Sequence, residues 1–224
     1  MVLSKSMTLV MQSMPQFLHG VLVTVSIAIA VFLIGILGGL VLGLANCNKL
    51  KLRGLGGVID LYVLVVRGTP SYVQILLAYF VLPEIIGFNL SPIGAGTIAL
   101  GCNAIAYITE IVRCGINSIP AGQWEAAYVL GYSTKRTITA IIVPLMLRNV
   151  LPALTNEVAV LLKETSMLSM IGVMEITKIG MNISARTLDP IGAYGAVAVL
   201  YLIMTSLVSF GAKQLEKVLN HDQN

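Results

Sequence analysis

The sequence predicts an all-α integral membrane protein: a polytopic, single-domain chain with about five transmembrane helices. Its 224 residues are 57% hydrophobic and only 11% charged, and the mean hydropathy is +0.90, outside the range of soluble domains. Two long runs without charged side chains occupy residues 21–45 and 191–212. About 20 apolar residues cross a bilayer core of roughly 30 Å, so each run predicts a membrane-spanning helix.

Three further spans are predicted, at residues 61–81, 91–109 and 137–162. Residues 1–16 form a polar, Met-rich lead-in, which we expect to be a short surface helix. The first span is far longer than the apolar core of a signal peptide, so it is not predicted to be cleaved. Within this span, small residues recur every four positions, a pattern that predicts close packing of helix backbones in lipid. They are Gly35, Gly39 and Gly43.

Lysine and arginine concentrate after the first, third and fifth spans. They are Lys49, Lys51, Arg53, Arg113, Lys135, Arg136, Lys213 and Lys217. By the positive-inside rule these ends are cytoplasmic, which places the N-terminus outside and the C-terminus inside. Because the charges are dispersed over several span ends, they exclude a continuous patch for nucleic acid.

The third span carries three polar residues on one helical face. Asn103, Tyr107 and Glu110 stand at positions i, i+4 and i+7, and Arg113 follows within reach of Glu110. One interpretation is a polar lining along a translocation path. The alternative is a hydrogen-bonded seam between helices that ends in a Glu110–Arg113 ion pair.

The end of the fourth span is also polar. Its candidate pathway residues are Asn156, Glu157, Lys163, Glu164, Thr165 and Ser166. A zwitterionic solute needs both donors and acceptors in a desolvated site, and this set contains both. Mutual neutralisation of the lysine and the glutamates across helices is the alternative. The two acidic groups slightly favour a cationic solute.

The sequence contains no catalytic constellation. His19 and His221 lie at opposite ends of the chain, and neither an HExxH motif nor a glycine-rich phosphate loop occurs. Cys47, Cys102 and Cys114 lack the spacing of metal ligands and are interpreted as small packing residues. The chain is therefore not predicted to be an enzyme or to hold a cofactor or metal, and nucleotide hydrolysis would belong to another subunit.

A polar segment separates the third and fourth spans. It contains Gln123-Trp124-Glu125-Ala126-Ala127, then Gly131, then Ile141-Ile142-Val143-Pro144. Residues 124–129 favour a short helix, Gly131 permits a sharp reversal, and the next helix can start at Thr134. We call these two short helices and the turn between them the knob. A membrane protein that presents such a segment to water is expected to bind a partner with it.

This segment resembles the EAA loop of the permease subunits of binding-protein-dependent ABC importers. The family pattern is Glu-Ala-Ala, three residues, Gly, nine residues and Ile-x-Leu-Pro, and the departure here is Val143 in place of Leu. Much of residues 17–217 resembles the polar-amino-acid branch, with histidine-, glutamate-, glutamine- or arginine-type systems. The matching pieces are Arg67-Gly68-Thr69-Pro70, Val73-Gln74, Ala106-Tyr107, Glu110-Ile111, Ile119-Pro120-x-Gly122-Gln123-x-Glu125, Leu162-Lys163-Glu164-Thr165-Ser166 and Leu215-Glu216.

Four positions depart from the pattern of that branch, and they bear on the substrate more than on the family. Cys114 stands where glycine is usual, and Leu145 stands where glutamine is usual. Tyr128-Val129 replaces an Arg-Ala pair, and Ser71-Tyr72 replaces an apolar pair.

The resemblance implies a type I importer permease: one domain, residues 1–224, with a cytoplasmic coupling loop at about residues 114–137. It implies a bacterial cytoplasmic (inner) membrane location, and it adds Arg67 and Thr69 to the pathway candidates. The implied coupling residues are Gln123, Glu125, Ala126, Ala127 and Gly131. The implied partners are two ATP-binding cassette subunits that hold ATP and Mg, a second permease chain (identical or related), an extracytoplasmic solute-binding protein, and a polar amino acid as substrate.

Two other functions agree less well with the sequence. A secondary transporter driven by an ion gradient would have inverted repeats and broken midplane helices; no repeat is evident, and the EAA segment would be unexplained. A membrane-embedded enzyme or receptor component would need a reactive cluster or a soluble sensing domain, and the sequence has neither.

Overall fold

The computed structural model describes residues 2–47 and 55–221, and every regular element within them is helical. The predicted all-α class is confirmed. Four helical segments are long and apolar enough to cross a membrane, and a bent helix pair is a fifth if it counts as one span. This agrees with the predicted number of about five. Lys49, Lys51 and Arg53, which contributed to the predicted orientation, lie outside the described residues.

Ten α-helices follow one another in the described ranges. They are α1 (Val2–Ala45), α2 (Leu55–Gly68), α3 (Ser71–Leu76), α4 (Leu82–Ile86), α5 (Pro92–Asn117), α6 (Ala121–Val129), α7 (Thr134–Thr137), α8 (Val143–Glu164), α9 (Ile176–Thr187) and α10 (Pro190–His221). Short π-helical turns occupy Leu77–Val81 and Ile138–Ile142, and a 3-10 helix occupies Thr165–Ile171.

α1 is much longer than the first predicted span. Where it is described, the polar lead-in continues into this helix instead of forming a separate surface helix, and Pro15 lies inside it without ending it. A proline removes one backbone hydrogen bond, whereas an end of the helix would leave several backbone groups without partners.

The glycine stripe of α1 packs against α5, as predicted. A Cβ atom on Gly39 would lie 2.6 Å from a side-chain carbon of Ile108, and one on Gly43 would lie 2.7 Å from Val112. Both distances are shorter than any real Cβ contact, so only glycine allows the two backbones to approach this closely.

The second predicted span is broken. α2 and the segment Ser71–Ile86 meet at an angle of 102°, where a single helix over residues 61–81 was expected. Pro70 has an extended backbone and precedes α3 as its N-cap, one residue earlier than the predicted first turn. Since proline restricts the residue before it to extended conformations, Thr69 cannot continue α2.

The described helices belong to two compact units, each made of separate stretches of chain. The first comprises the chain up to Leu33, Pro70–Gly101 and Val158–Phe210; the second comprises Ile34–Thr69, Cys102–Glu157 and the chain from Gly211. The first unit has a core of Phe17, Ala28, Leu162, Ile176, Ile179, Ile183, Ala193, Val197 and Met204. The buried side chains of the second include Ile108, Val112, Ile116, Ile142, Met146 and Val150.

Candidate functional site

The polar segment of the second unit forms two short helices, α6 and α7, as the sequence predicts. α6 has buried residues at two positions, Trp124, which is 3% exposed, and Ala127. The two are three residues apart and therefore lie on one face of the helix. Gln123, Glu125 and Ala126 are exposed. One narrow stripe thus anchors α6, and its other faces are open.

A Schellman motif reverses the chain after α6. The N–H of Gly131 donates to the carbonyl of Tyr128 at 2.9 Å, and the N–H of Tyr132 donates to the carbonyl of Ala127 at 3.0 Å. Gly131 has φ +75°, the left-handed region that glycine adopts without steric cost. The predicted reversal at Gly131 is confirmed.

The helix after the turn has its own cap. The Ser133 hydroxyl oxygen accepts from the backbone N–H of Arg136 at 3.4 Å. The guanidinium carbon of Arg136 lies 4.6 Å from the centroid of the Tyr132 ring, a cation–π contact. These local contacts keep the turn compact without help from another part of the chain.

The tip of this knob is apolar and open. Val129 is 88% exposed and Leu130 is 70% exposed, and Tyr128 is also exposed. An exposed apolar patch on a segment between spans is typical of a protein-binding surface. In the sequence, Tyr128-Val129 stands out only as a departure from a family pattern, which gives no indication that these residues form the tip.

The polar face of α5 forms the predicted ion pair. Arg113 donates to the Glu110 carboxylate from Nε at 2.8 Å and from Nη2 at 2.5 Å, and the guanidinium of Arg67 stacks over the Tyr107 ring. Asn103, in contrast, is buried at 2% exposure. The burial of Asn103 and the Glu110–Arg113 pair agree with the alternative interpretation, a hydrogen-bonded seam between helices.

The polar residues near the end of α8 have different environments. Asn156 and Lys163 are exposed, whereas Glu157 is buried and Thr165 is fully buried. The hydroxyl of Thr165 donates to the carbonyl of Leu162, and that of Ser166 donates to the carbonyl of Lys163. These six candidates therefore do not line one common surface.

Glu164 makes the long-range contact of this group. Its Oε1 accepts from the Ser71 hydroxyl at 2.9 Å, across 93 residues of chain. Ser71 begins α3 directly after the bend, and Glu164 ends α8. Ser71 is not among the residues that the sequence predicts for the site; its place after a proline at a helix start was the available indication.

Another carboxylate, Glu175, was not among the predicted site residues. It is fully buried and is the N-cap of α9, where its oxygens accept from the backbone N–H groups of Thr177 at 2.8 Å and Lys178 at 2.7 Å. The Tyr201 hydroxyl donates to it at 2.9 Å. Burial raises the pKa of the Glu175 carboxyl, and these donors act in the opposite direction. The sequence indication was an acidic residue before a helical pattern.

Within residues 2–47 and 55–221, no group of three or more histidine, cysteine or acidic side chains could hold a metal ion. The organised features of the described residues are thus an open knob, a helix break followed by Ser71 with its contact to the half-buried Glu164, and an Arg–Tyr–Glu–Arg cluster.

Comparisons with known proteins agree on one family. Residues 35–221 match the family described as binding-protein-dependent transport system inner membrane component. The arginine transport system permease protein ArtQ of Bacillus subtilis (strain 168) is 32% identical over 92% of this chain and 93% of its own length. The glutamine transport system permease protein GlnP of Escherichia coli (strain K12) is 37% identical, with the same shares covered.

Solved structures show the same fold. A crystal structure of an amino acid ABC transporter with histidines contains a chain that matches with a TM-score of 0.85 and 33% identity, over 92% of this chain and 95% of that one. A chain of the MetNI methionine ABC transporter in inward facing conformations matches with a TM-score of 0.81, over 92% and 97%. At 19% identity, the second match concerns the fold alone.

Proposed function

Since this chain belongs to the family of binding-protein-dependent transport system inner membrane components, we propose that it carries polar amino acids through the bacterial cytoplasmic (inner) membrane with energy from a separate ATPase. It is the permease subunit of an amino acid ABC importer. The alternative of an ion-gradient-driven transporter has no support, although the bent pair α2–α3 is the kind of broken helix expected there.

The substrate class is inferred from the named relatives. One is named for arginine and another for glutamine, and both amino acids have long polar side chains. Glu164, held by Ser71, is a polar group suited to a substrate ammonium or guanidinium. Its contact with Ser71, the first residue of α3 after the break, supports a site there within the first unit, because broken helices of membrane proteins line binding sites.

The exposed knob carries the coupling proposal. Gln123, Glu125 and Ala126 present their side chains to a partner, whereas Ala127 acts as an anchor because it is buried. Gly131 is needed for the turn. When two ATPases close on nucleotide, a docked knob with two positions can transmit that movement to the spans. ATP and Mg would then be bound by the ATPase partner.

The exposed polar residues of α8 support pairing with a second permease chain. Three exposed residues of this helix recur every seven positions: Asn149, Asn156 and Lys163. This spacing places them on one face of a continuous helix. Ionisable and amide side chains are costly in lipid, so this stripe is expected to face a second permease chain, or water between the two. The remaining candidates for that path are Tyr107, Glu110, Ser166, Arg67 and Thr69. Asn103, Glu157 and Thr165 are buried and would support the path only from within the chain.

The complete assembly would contain two permease chains, two ATP-binding cassette subunits and an extracytoplasmic solute-binding protein. In the proposed orientation the N-terminus is outside and the C-terminus inside, so the knob faces the cytoplasm. The whole chain acts as a single permease domain, with the coupling loop at about residues 114–137.

The test is ATP-driven uptake of radiolabelled glutamine and arginine into vesicles that contain the whole system. Glu125→Lys should abolish uptake while the variant still inserts in the membrane, and Glu125→Gln should reduce it less. Glu84→Lys, the same charge reversal at α4, is the matched control and should transport normally. Normal uptake by Glu125→Lys would refute the coupling role of the knob.

A further inference from the structure

The second unit contains an open groove with charges of both signs. Its volume is about 380 Å³, within the range of roughly 300–1,000 Å³ typical of small-molecule sites. It is lined by Asp60, Val63, Leu64, Arg67, Gly68 and Glu110. Two carboxylates and one guanidinium therefore meet beside a short apolar wall.

Arg67 is held in place but keeps its hydrogen-bond donors available. Its guanidinium carbon lies 5.0 Å from the centroid of the Tyr107 ring, and stacking of this kind uses the face of the guanidinium plane. Among the described residues its side chain makes no hydrogen bond and no ion pair. The N–H edges are thus free to receive a planar carboxylate, the group that an arginine fork matches best.

The two carboxylates are oriented by neighbours on their other side. Glu110 accepts two hydrogen bonds from Arg113, and Asp60 Oδ1 accepts from Asn46 Nδ2 at 2.6 Å. Because both carboxylates have a fixed direction, a ligand would not have to order them, and this preorganisation favours affinity.

The balance of charges selects the ligand class. Asp60 and Glu110 bring negative charge to the groove, and Arg67 brings positive charge. A groove lined by both signs favours a zwitterion over a ligand of a single charge. An anionic lipid phosphate would meet two carboxylates as well as the arginines and would be repelled by them.

We propose that this groove binds the head group of a free α-amino acid, with the carboxylate on Arg67 and the ammonium toward Asp60 and Glu110. The inference deepens the proposed function and rests on it, because the substrate class comes from there. In the proposed orientation Asp60, Glu110 and the knob belong to the cytoplasmic half, so the groove would take amino acid from the cytoplasmic side. It would be a site separate from the one at Glu164.

The experiment measures binding of radiolabelled L-glutamine and L-arginine to the purified permease–ATPase complex without solute-binding protein, in phosphatidylcholine nanodiscs, by equilibrium dialysis. Arg67→Gln should weaken binding about tenfold or more, since it removes a charge-assisted contact, and Arg67→Lys should lie between. N-acetylglutamine and glutaminamide, which each lack one head-group charge, should compete poorly.

A second variant makes the test independent of the charge. A Cβ atom on Gly68 would meet no atom within 4 Å, so Gly68→Val should fill part of the groove without disturbing the helix and should also weaken binding. Arg148→Gln, an exposed arginine of the same unit outside the groove, should bind like the wild type. Each variant is first checked by size-exclusion chromatography.

Three results would overturn the proposal: no saturable binding at millimolar amino acid, wild-type affinity in both Arg67→Gln and Gly68→Val, or binding that depends on added phosphatidylglycerol. Uptake by the complete wild-type system is measured in parallel. Uptake without groove binding would refute this inference alone, whereas a wild-type system that transports no amino acid would refute the proposed function.

Discussion

Two short helices between spans, α6 and α9, have similar lengths and opposite surroundings. α9 buries Ile176, Ile179 and Ile183, and its first turn is capped by the buried carboxylate of Glu175. α6 has no side-chain cap and buries Trp124 and Ala127 within the described structure. The apolar face and the first turn of α9 are therefore covered within the first unit, whereas most of the surface of α6 is exposed.

The difference separates a structural connection from a functional one. The buried contacts of α9 come from elements of its own chain, including the Thr24 hydroxyl oxygen, which accepts from the N–H of Ile176 at 3.4 Å. The exposed tip of the α6 knob, Val129 and Leu130, has no such cover. We expect a partner to cover the exposed tip of the knob in the complete transporter.

The largest expected effect comes from Gly131→Pro. Proline fixes φ near −65° where Gly131 has +75°, and it also removes the N–H that bonds to Tyr128. The turn cannot form, so ATP-driven uptake should be lost while membrane insertion is retained. Gly57→Ala is the control, since α2 has open space at that position. Wild-type uptake by Gly131→Pro would contradict a role for the turn.

Trp124→Ala should detach α6. A buried large-to-small change of this kind costs about 3–5 kcal/mol. Trp124 and Ala127 are the buried residues of α6, so the contact that remains should be too small to hold the helix in place. Hydrogen exchange at residues 121–129 should become fast while α9 stays protected. Trp124→Phe should be mild, because the indole N–H has no hydrogen-bond partner among the described residues. Retained protection in Trp124→Ala would show that other contacts hold the knob.

Glu175→Ala should have the smallest effect, and it should be confined to α9. Loss of an N-cap costs about 1–2 kcal/mol, which thermal unfolding of the purified transporter would detect. Glu175→Gln keeps an acceptor oxygen and should lose less. An unchanged melting temperature in Glu175→Ala would show that the Glu175 cap does not stabilise α9.

The wild type and Glu175→Gln should also differ in how their stability depends on pH. Burial raises the pKa of the Glu175 carboxyl above its unfolded value, so its contribution to stability is complete below the unfolded pKa of about 4.3. That contribution is lost as pH rises through the folded pKa. The wild type should therefore lose stability relative to Glu175→Gln as pH increases from about 4.

Local patterns predicted much of this protein, but their limits are visible at single residues. Glycine at 131 indicated the turn because φ near +75° is a property of the residue itself. Pro70 likewise indicated the break at Thr69–Pro70. The span was nevertheless predicted to run across it, because the apolar residues continue on both sides. Ser71 had no comparable sign of its partner, since a serine at a helix start is common in many contexts.

The sequence by itself determined the membrane class, the approximate number of spans, the helix–turn–helix knob and the family resemblance. Each of these depends on hydropathy or on motifs within about 20 residues. The tertiary structure alone decided that Ala127 is an anchor, that Ser71 meets Glu164 over 93 residues, that α9 is buried, and that Arg67 stacks on Tyr107. Contacts between distant segments depend on how helices pack, and helical periodicity defines the face of a residue without naming its neighbour.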